Sequence, residues 1–207
     1  TVIRTWGSSK VEITPVSDYF PIKKDLYQSV NSNFMSSLPR DDVSPTQPIV
    51  IYTVINPITS LSYGFNDLMS AVGVTIPLEI SNLFDNIPAD FYVSQFWNSN
   101  GSSGYGIIGA IENSIDTLPN LRDWEITMPQ DFKLLFKYDL NKAASTTFLD
   151  NNYQGVAIRY LNFPISDLTI DYGIVTLADG RQYLVMTNSK EHIYTIIDHL
   201  LGVLPGK

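Results

Sequence analysis

Ile170-Asp-Tyr-Gly-Ile-Val-Thr-Leu177, Ala178-Asp-Gly180 and Arg181-Gln-Tyr-Leu-Val-Met-Thr187 run straight into Asn188-Ser-Lys-Glu-His-Ile-Tyr-Thr-Ile-Ile-Asp-His-Leu-Leu201. Two runs rich in β-branched and aromatic residues around Asp179-Gly180 suit a hairpin, and the dipeptide fits a type I′ two-residue turn. Asn188 and Glu191 then stand at N-cap and N3 spacing, as in a capping box. Ile193, Ile196, Ile197, Leu200, Leu201 and Leu204 fall on one helical face. A hairpin followed by a helix with one apolar stripe predicts a C-terminal helix closing the core against an antiparallel sheet.

Upstream, the same grammar repeats. Phe148–Asp150 and Tyr153–Leu161 read as strands around Asn151-Asn152, which accept left-handed dihedrals. Asp90–Trp97 and Tyr105–Glu112 read as a hairpin with an uncharged, flexible tip at 98–104. Pro48–Ile55 is a β-branched run that is apolar on both faces, as in a central strand. Val2–Trp6 and Lys10–Thr14 suggest an edge hairpin across Gly7-Ser8-Ser9.

Between these strands lie helical patterns. Ile22, Leu26, Val30, Phe34 and Leu38 recur every four residues and predict a helix over about Lys23–Leu38, closed by Pro39. Leu61, Phe65, Leu68, Met69 and Val72 predict another, with Thr59-Ser60 as caps and Gly73 as its end. Pro77 opens a third that carries Ile80, Leu83, Phe84 and Ile87. Leu118, Leu121, Trp124, Glu125 and Met128 make a fourth, interrupted at Pro129 before Phe132, Leu135 and Phe136. Helices set between hairpins, rather than one between every pair of strands, give α+β. One domain over 1–207 fits the length. A subdomain boundary, if the chain has one, falls at 40–48, between an N-terminal hairpin plus helix (1–39) and the main sheet and helices (49–207), because that segment holds charge and two prolines without periodicity.

Composition narrows the function. Thirteen Lys+Arg against 21 Asp+Glu give a net charge of −8, which repels nucleic acid and anionic bilayers. Cys is absent, removing disulfides, thiol nucleophiles and thiolate metal sites. Charged residues are only 16%, while Ser, Thr and Asn together supply 50 of the 207 residues. That balance points to an extracytoplasmic bacterial domain. No stretch is apolar for long enough to span a bilayer. The chain starts at Thr1 without a basic-then-apolar leader, so it reads as a processed or excised piece.

Chemistry is harder to find. Gly104-Tyr-Gly-Ile-Ile-Gly109 matches the dinucleotide fingerprint, but a polar loop precedes it and its residues continue as a strand, so glycine-punctuated strand packing is the reading. His192 and His199 are two turns apart on the last helix, about 10 Å along its axis, too far to share one metal ion. They read as a solvated helix face, or as an interface or pH-sensing pair. Asp41-Asp42, Asp123/Glu125 and Asp171/Asp179 read as solvated surface, and Asp150-Asn-Asn152 as a turn rather than a calcium loop. No catalytic residue, cofactor or metal ligand is expected. Tyr92, Phe96, Trp97 and Tyr105 gather around the 98–104 loop. They suit either a strand core or, with Asn98 and Asn100, a ligand or partner surface; Tyr92, Trp97, Asn98, Asn100 and Tyr105 are its candidate residues.

Ile87-Pro-Ala-Asp-Phe-Tyr-Val-Ser-Gln-Phe96, Leu121-Arg-Asp-Trp-Glu-Ile-Thr-Met128, Val156-Ala-Ile-Arg-Tyr-Leu161 and the closing hairpin with Thr187-Asn-Ser-Lys-Glu191 resemble a group of uncharacterised, membrane-anchored extracytoplasmic proteins of reduced-genome candidate-phyla bacteria, over roughly Ser60 to Leu201. That group has no assigned activity. The resemblance implies a cell-envelope or surface location, with an anchor outside this segment. The function expected is a non-catalytic domain for protein–protein contact or self-association. The alternative is a small-molecule or glycan-binding domain using the aromatics around the loop.

Overall fold

In a computed structural model, which describes residues 2–6, 9–13, 16–84, 90–112, 115–136, 147–164 and 168–203, the chain is α+β. Strands β1 (Val2–Trp6) and β2 (Ser9–Ile13) form a two-stranded antiparallel sheet of their own. The hairpin expected at the start is therefore present, but it is not paired to the edge of the main sheet. Eight further strands make that sheet: β3 (Lys23–Tyr27), β4 (Ile49–Ile55), β5 (Phe91–Trp97), β6 (Ser103–Ile111), β7 (Leu149–Tyr153), β8 (Val156–Asn162), β9 (Thr169–Thr176) and β10 (Gln182–Thr187). Their order is β3-β4-β5-β6-β10-β9-β8-β7, antiparallel everywhere except β3 against β4. Among the described residues six α-helices complete it: α1 (Phe65–Val72), α2 (Leu78–Ser81), α3 (Thr117–Trp124), α4 (Met128–Asp131), α5 (Lys133–Phe136) and α6 (Lys190–Leu201).

The pleat sends alternate side chains to two separate cores. On one face, Tyr52, Phe91, Val93, Ile107, Tyr172, Leu184 and Met186 pack with the apolar sides of α1 to α5. On the other, Ile51, Tyr92, Phe96, Ile108, Val175, Tyr183 and Val185 pack under Ile193, Ile196, Ile197 and Leu200 of α6, joined by Val16 and Phe20. The C-terminal helix thus closes the second core as its stripe predicted; Leu204, the last residue of that stripe, lies outside the described residues.

Several boundaries differ from expectation for identifiable reasons. The helix expected over Lys23–Leu38 is not formed: Lys23–Tyr27 is strand β3, parallel to β4, and only Met35–Ser37 makes a single 3₁₀ turn. Residues 40–48 run between two paired strands of one sheet, with Val43 buried and Asp42 accepting from the Tyr52 hydroxyl at 2.9 Å. Helix α1 starts at Phe65 behind Gly64, not at Thr59-Ser60. The Pro77 helix continues α2 into a 3₁₀ turn over Asn82–Phe84; Ile87 lies outside the described residues.

Of the two downstream hairpins, one turns elsewhere than its dipeptide suggested, and the other turns around Asp179-Gly180 as expected but with a different turn type. Between β7 and β8, Tyr153 faces Val156 and the turn is Gln154-Gly155, at φ 52° and 80°; Asn151 and Asn152 sit in the strand. Between β9 and β10, the Gly180 N–H donates to the Leu177 carbonyl and the Leu177 N–H to Arg181. Gly180 alone has positive φ there, at 85°. This is a three-residue loop, a type I turn closed by a left-handed glycine, and not the two-residue type I′ turn expected.

The glycine-rich fingerprint lies within β6, as expected of a strand. A Cβ at Gly106 would come within 2.7 Å of Ser94 Oγ, and one at Gly109 within 2.6 Å of the Phe84 ring, so both are packing glycines. Among the described residues, no helix is long and apolar enough to cross a membrane.

Candidate functional site

The five residues expected to form a surface are split by the pleat. Tyr92 points into the α6 core, whereas Trp97 and Tyr105 pack against the core on the opposite face. Burial, reinforced by the Asp90 charge, pushes the Tyr92 phenol up to about 12, so it carries no proton chemistry near neutrality.

The polar tip that looked flexible is tied down. Asn98 is buried, its Oδ1 accepting from Ser189 Oγ at 2.6 Å and its Nδ2 donating to Ser102 Oγ at 3.1 Å. Asn100 Oδ1 accepts from the Ser102 amide and hydroxyl at 2.8 and 2.6 Å. Ser99 donates through its amide (2.9 Å) and hydroxyl (2.6 Å) to Glu191. Asn188 Oδ1 accepts from the Tyr105 amide at 2.6 Å. Of the residues that resembled a capping box, Glu191 thus holds the 98–102 loop and Asn188 holds β6 at Tyr105, and the N-cap of α6 is Ser189, without a side-chain cap bond.

A different place emerges from the strand register. Ser94 pairs with Gly106, Gly106 with Thr187, Thr187 with Asp171, and Asp171 with Tyr160. These five form one cross-sheet row on the α6 face, polar or side-chain-free in a layer that is otherwise apolar. The row lies where α6 begins: the Thr187 hydroxyl donates to the Ser189 carbonyl at 2.9 Å. At its outer end is a recess of about 210 Å³ lined by Asn151, Tyr160, Asn162, Asp171 and Lys190.

Asp171 is the floor of this recess and only 2% exposed. Removal from water raises its carboxyl to about 7, against the smaller opposing pulls of the Thr169 hydroxyl and the Lys190 charge. Thr169 Oγ1 donates to Oδ2, the one hydrogen bond of this carboxyl among the described residues. Among the described residues no cation lies at ion-pair distance from it. Lys190 is exposed at the mouth, its ammonium 5.5 Å from the centre of the Tyr194 ring. Asn151 is held by donation to the Tyr194 hydroxyl at 2.5 Å.

His192 lies further along the same face and is not solvated as expected. It is fully buried and stacked on Phe96 at 5.1 Å, with neither ring nitrogen in a hydrogen bond. Burial drives its pKa down to about 3, although the Tyr105 backbone favours the protonated form. His199 is half-buried, 5.2 Å from the Phe20 ring, and burial lowers its pKa too.

The other carboxylate groupings resolve differently. Asp179 belongs to the β9–β10 turn and accepts from Arg181 Nε at 2.8 Å. Asp42 is paired with Lys24. Glu125, expected at the surface, is instead covered: Arg159 grips it with two bonds of 2.7 Å, and the Tyr172 hydroxyl adds one of 2.5 Å. Among the described residues, no three His, Asp or Glu side chains gather as a metal centre would require.

Asp171 could have been found from sequence. It sits between Ile170 and Tyr172 in a strand apolar on both faces, and a strand of that kind is central and has no wet side. No family model, curated protein or solved structure matches the chain.

Proposed function

We propose that the chain is a non-catalytic binding domain that takes a small polar solute into the Asp171 recess. The observation that carries this reading is a carboxyl 2% exposed, with no cation at ion-pair distance among the described residues, opening onto a recess whose five lining residues are all polar. Buried carboxyls are ordinarily paired, because ionising one alone is costly; this one avoids that cost by holding its proton up to about pH 7. A perturbed carboxyl in a recess that also presents convergent donors and acceptors has the form of a binding site. Its size suits a single small molecule rather than a polymer. The small-molecule alternative drawn from the sequence is therefore favoured, with Asn151, Tyr160, Asn162, Asp171 and Lys190 in place of the aromatics. The Cys-free, Ser/Thr/Asn-rich composition fits an extracytoplasmic setting for it.

A thermal-shift screen of polyols, amino acids, amines and carboxylates tests the reading. A solute at one hundred times its Kd stabilises the fold by about 2.7 kcal/mol, a rise of roughly 5–10 °C for a chain of this size. A hit whose shift is unchanged in Asp171→Asn, or a screen without hits, overturns it.

Protein–protein contact is a second reading: Ile115, Ile58 and Ile126 stand 93, 88 and 86% exposed, and they would mark an interface only as part of a contiguous apolar patch. Light scattering across a concentration series checks it. A strictly monomeric chain counts against self-association.

A further inference from the structure

The recess has two electrostatic ends. Its floor is a carboxyl with no cation at ion-pair distance among the described residues, and its mouth carries the ammonium of Lys190, whose charge reaches Asp171 without pairing with it. A lysine at the first position of a helix is placed against the helix dipole, which favours anions there. Between the two ends lie neutral groups, Asn151, Asn162 and the Tyr160 hydroxyl, able to donate and accept.

We propose that the solute is a small zwitterion of the amino-acid class, its ammonium group against Asp171 and its carboxylate towards Lys190. The inference rests on the binding reading above and names its ligand class. A polyol would satisfy the amides but leave Asp171 without a cation and Lys190 without an anion. A simple carboxylate would meet Lys190 and approach a carboxyl that it repels. A zwitterion supplies both missing charges while adding no net charge to the recess. Charge-assisted hydrogen bonds at both ends outweigh neutral ones in strength.

Binding then has a proton signature. The titratable groups facing Asp171 are Lys190 from α6 and Tyr160 from β8; His192 is neutral and Glu191 is turned to Ser99. An incoming ammonium favours the ionised carboxylate, so a solute bound near pH 7 expels protons from Asp171.

The test is calorimetric titration of the full chain with glycine, L-alanine, β-alanine and L-serine, set against acetate, ethylamine and glycerol, in two buffers of different ionisation heat. At least one zwitterion is expected to bind ten-fold or more tightly than acetate and ethylamine, with proton release near pH 7 that is abolished in Asp171→Asn. Lys190→Met, an exposed change that keeps the test open should Asp171→Asn fail to fold, is expected to weaken the zwitterion at least ten-fold and to leave ethylamine little altered. Glycerol binding without any zwitterion overturns the ligand class and leaves the binding site standing. Failure of every probe overturns both. Zwitterion binding unchanged in the two variants overturns the placement in this recess.

Discussion

Glu125 lies against one face of the sheet and Asp171 against the other, and Tyr172, the neighbour of Asp171 in β9, touches Glu125 across the pleat. Both carboxylates are drawn under cover, but only Glu125 is answered by the fold. Arg159 takes it bidentately, holds Asp150 at 2.9 Å and donates to the Phe148 carbonyl at 3.2 Å, so the acid ties the end of α3 to the far strands. Its charge raises the Arg159 pKa further, fixing the guanidinium as a cation at every accessible pH. Asp171 has the Thr169 hydroxyl and the pull of the Lys190 charge, without an ion-pair contact among the described residues. A carboxylate with a complete set of partners is a fastener, and one held in cover without them is available to something else.

Breaking the fastened side should give the largest effect. Arg159→Met leaves Glu125 uncompensated beneath α3, with side-chain exposures of only 16% and 13% across the original pair. Removing one partner of a buried pair costs about 3–5 kcal/mol, a value to be read from urea unfolding. Arg159→Met with Glu125→Leu should recover much of the loss, since an apolar replacement of both partners is often tolerated. A double variant no better than Arg159→Met would show that packing, not the orphaned charge, sets the cost.

The unanswered side should respond to pH instead. In the unfolded chain Asp171 ionises at its ordinary value near 3.8, and in the fold only at about 7. Between those values the folded state holds one more proton, so this group withdraws stability as pH rises, by at most about 1.4 kcal/mol per unit. His192 acts in reverse. Its folded pKa is about 3 against 6.5 unfolded, so its stability is whole above 6.5 and is withdrawn as pH falls. From about pH 4 to 6.5 the two slopes oppose and largely cancel. Asp171→Asn should therefore unmask a stability that climbs with pH up to 6.5, and His192→Leu one that declines with pH up to about 7. Urea midpoints across pH 4–8 read both slopes, and parallel profiles for the two variants would remove the contrast drawn between the faces.

Much of this architecture was legible beforehand, and the exceptions share a cause. The closing hairpin, α6 and the strand character of 104–109 follow from local pattern. The period of four at Ile22, Leu26, Val30, Phe34 and Leu38 does not separate a helix from a strand where it matters. Four is also a multiple of two, so Ile22 and Leu26 share a strand face, and pairing with β4 decided the matter. Asn188 and Glu191 had the spacing of a capping box, but Tyr105 and Ser99, 83 and 92 residues earlier, engage them. The row of Ser94, Thr187 and Asp171 depends on register among four strands, which no single segment encodes.

The smallest expected effect concerns the loop that borders the polar row. Glu191→Gln weakens the two bonds to Ser99, both solvent-exposed, and exposed charged contacts are worth about 0.2–1 kcal/mol. Global stability should change by no more than that. Asn98 remains buried against Ser189, and its own amide still donates to the Ser102 carbonyl at 2.8 Å. Hydrogen exchange should separate the two ties: faster exchange at the Ser99 amide in Glu191→Gln, with the Asn98 amide unchanged. If both amides lose protection together, Glu191 holds the whole tip, and the anchoring assigned to the buried Asn98–Ser189 bond is wrong. Because Glu191 follows Lys190 at the start of α6, that outcome would also make the mouth of the recess and the 98–102 loop one cooperative unit.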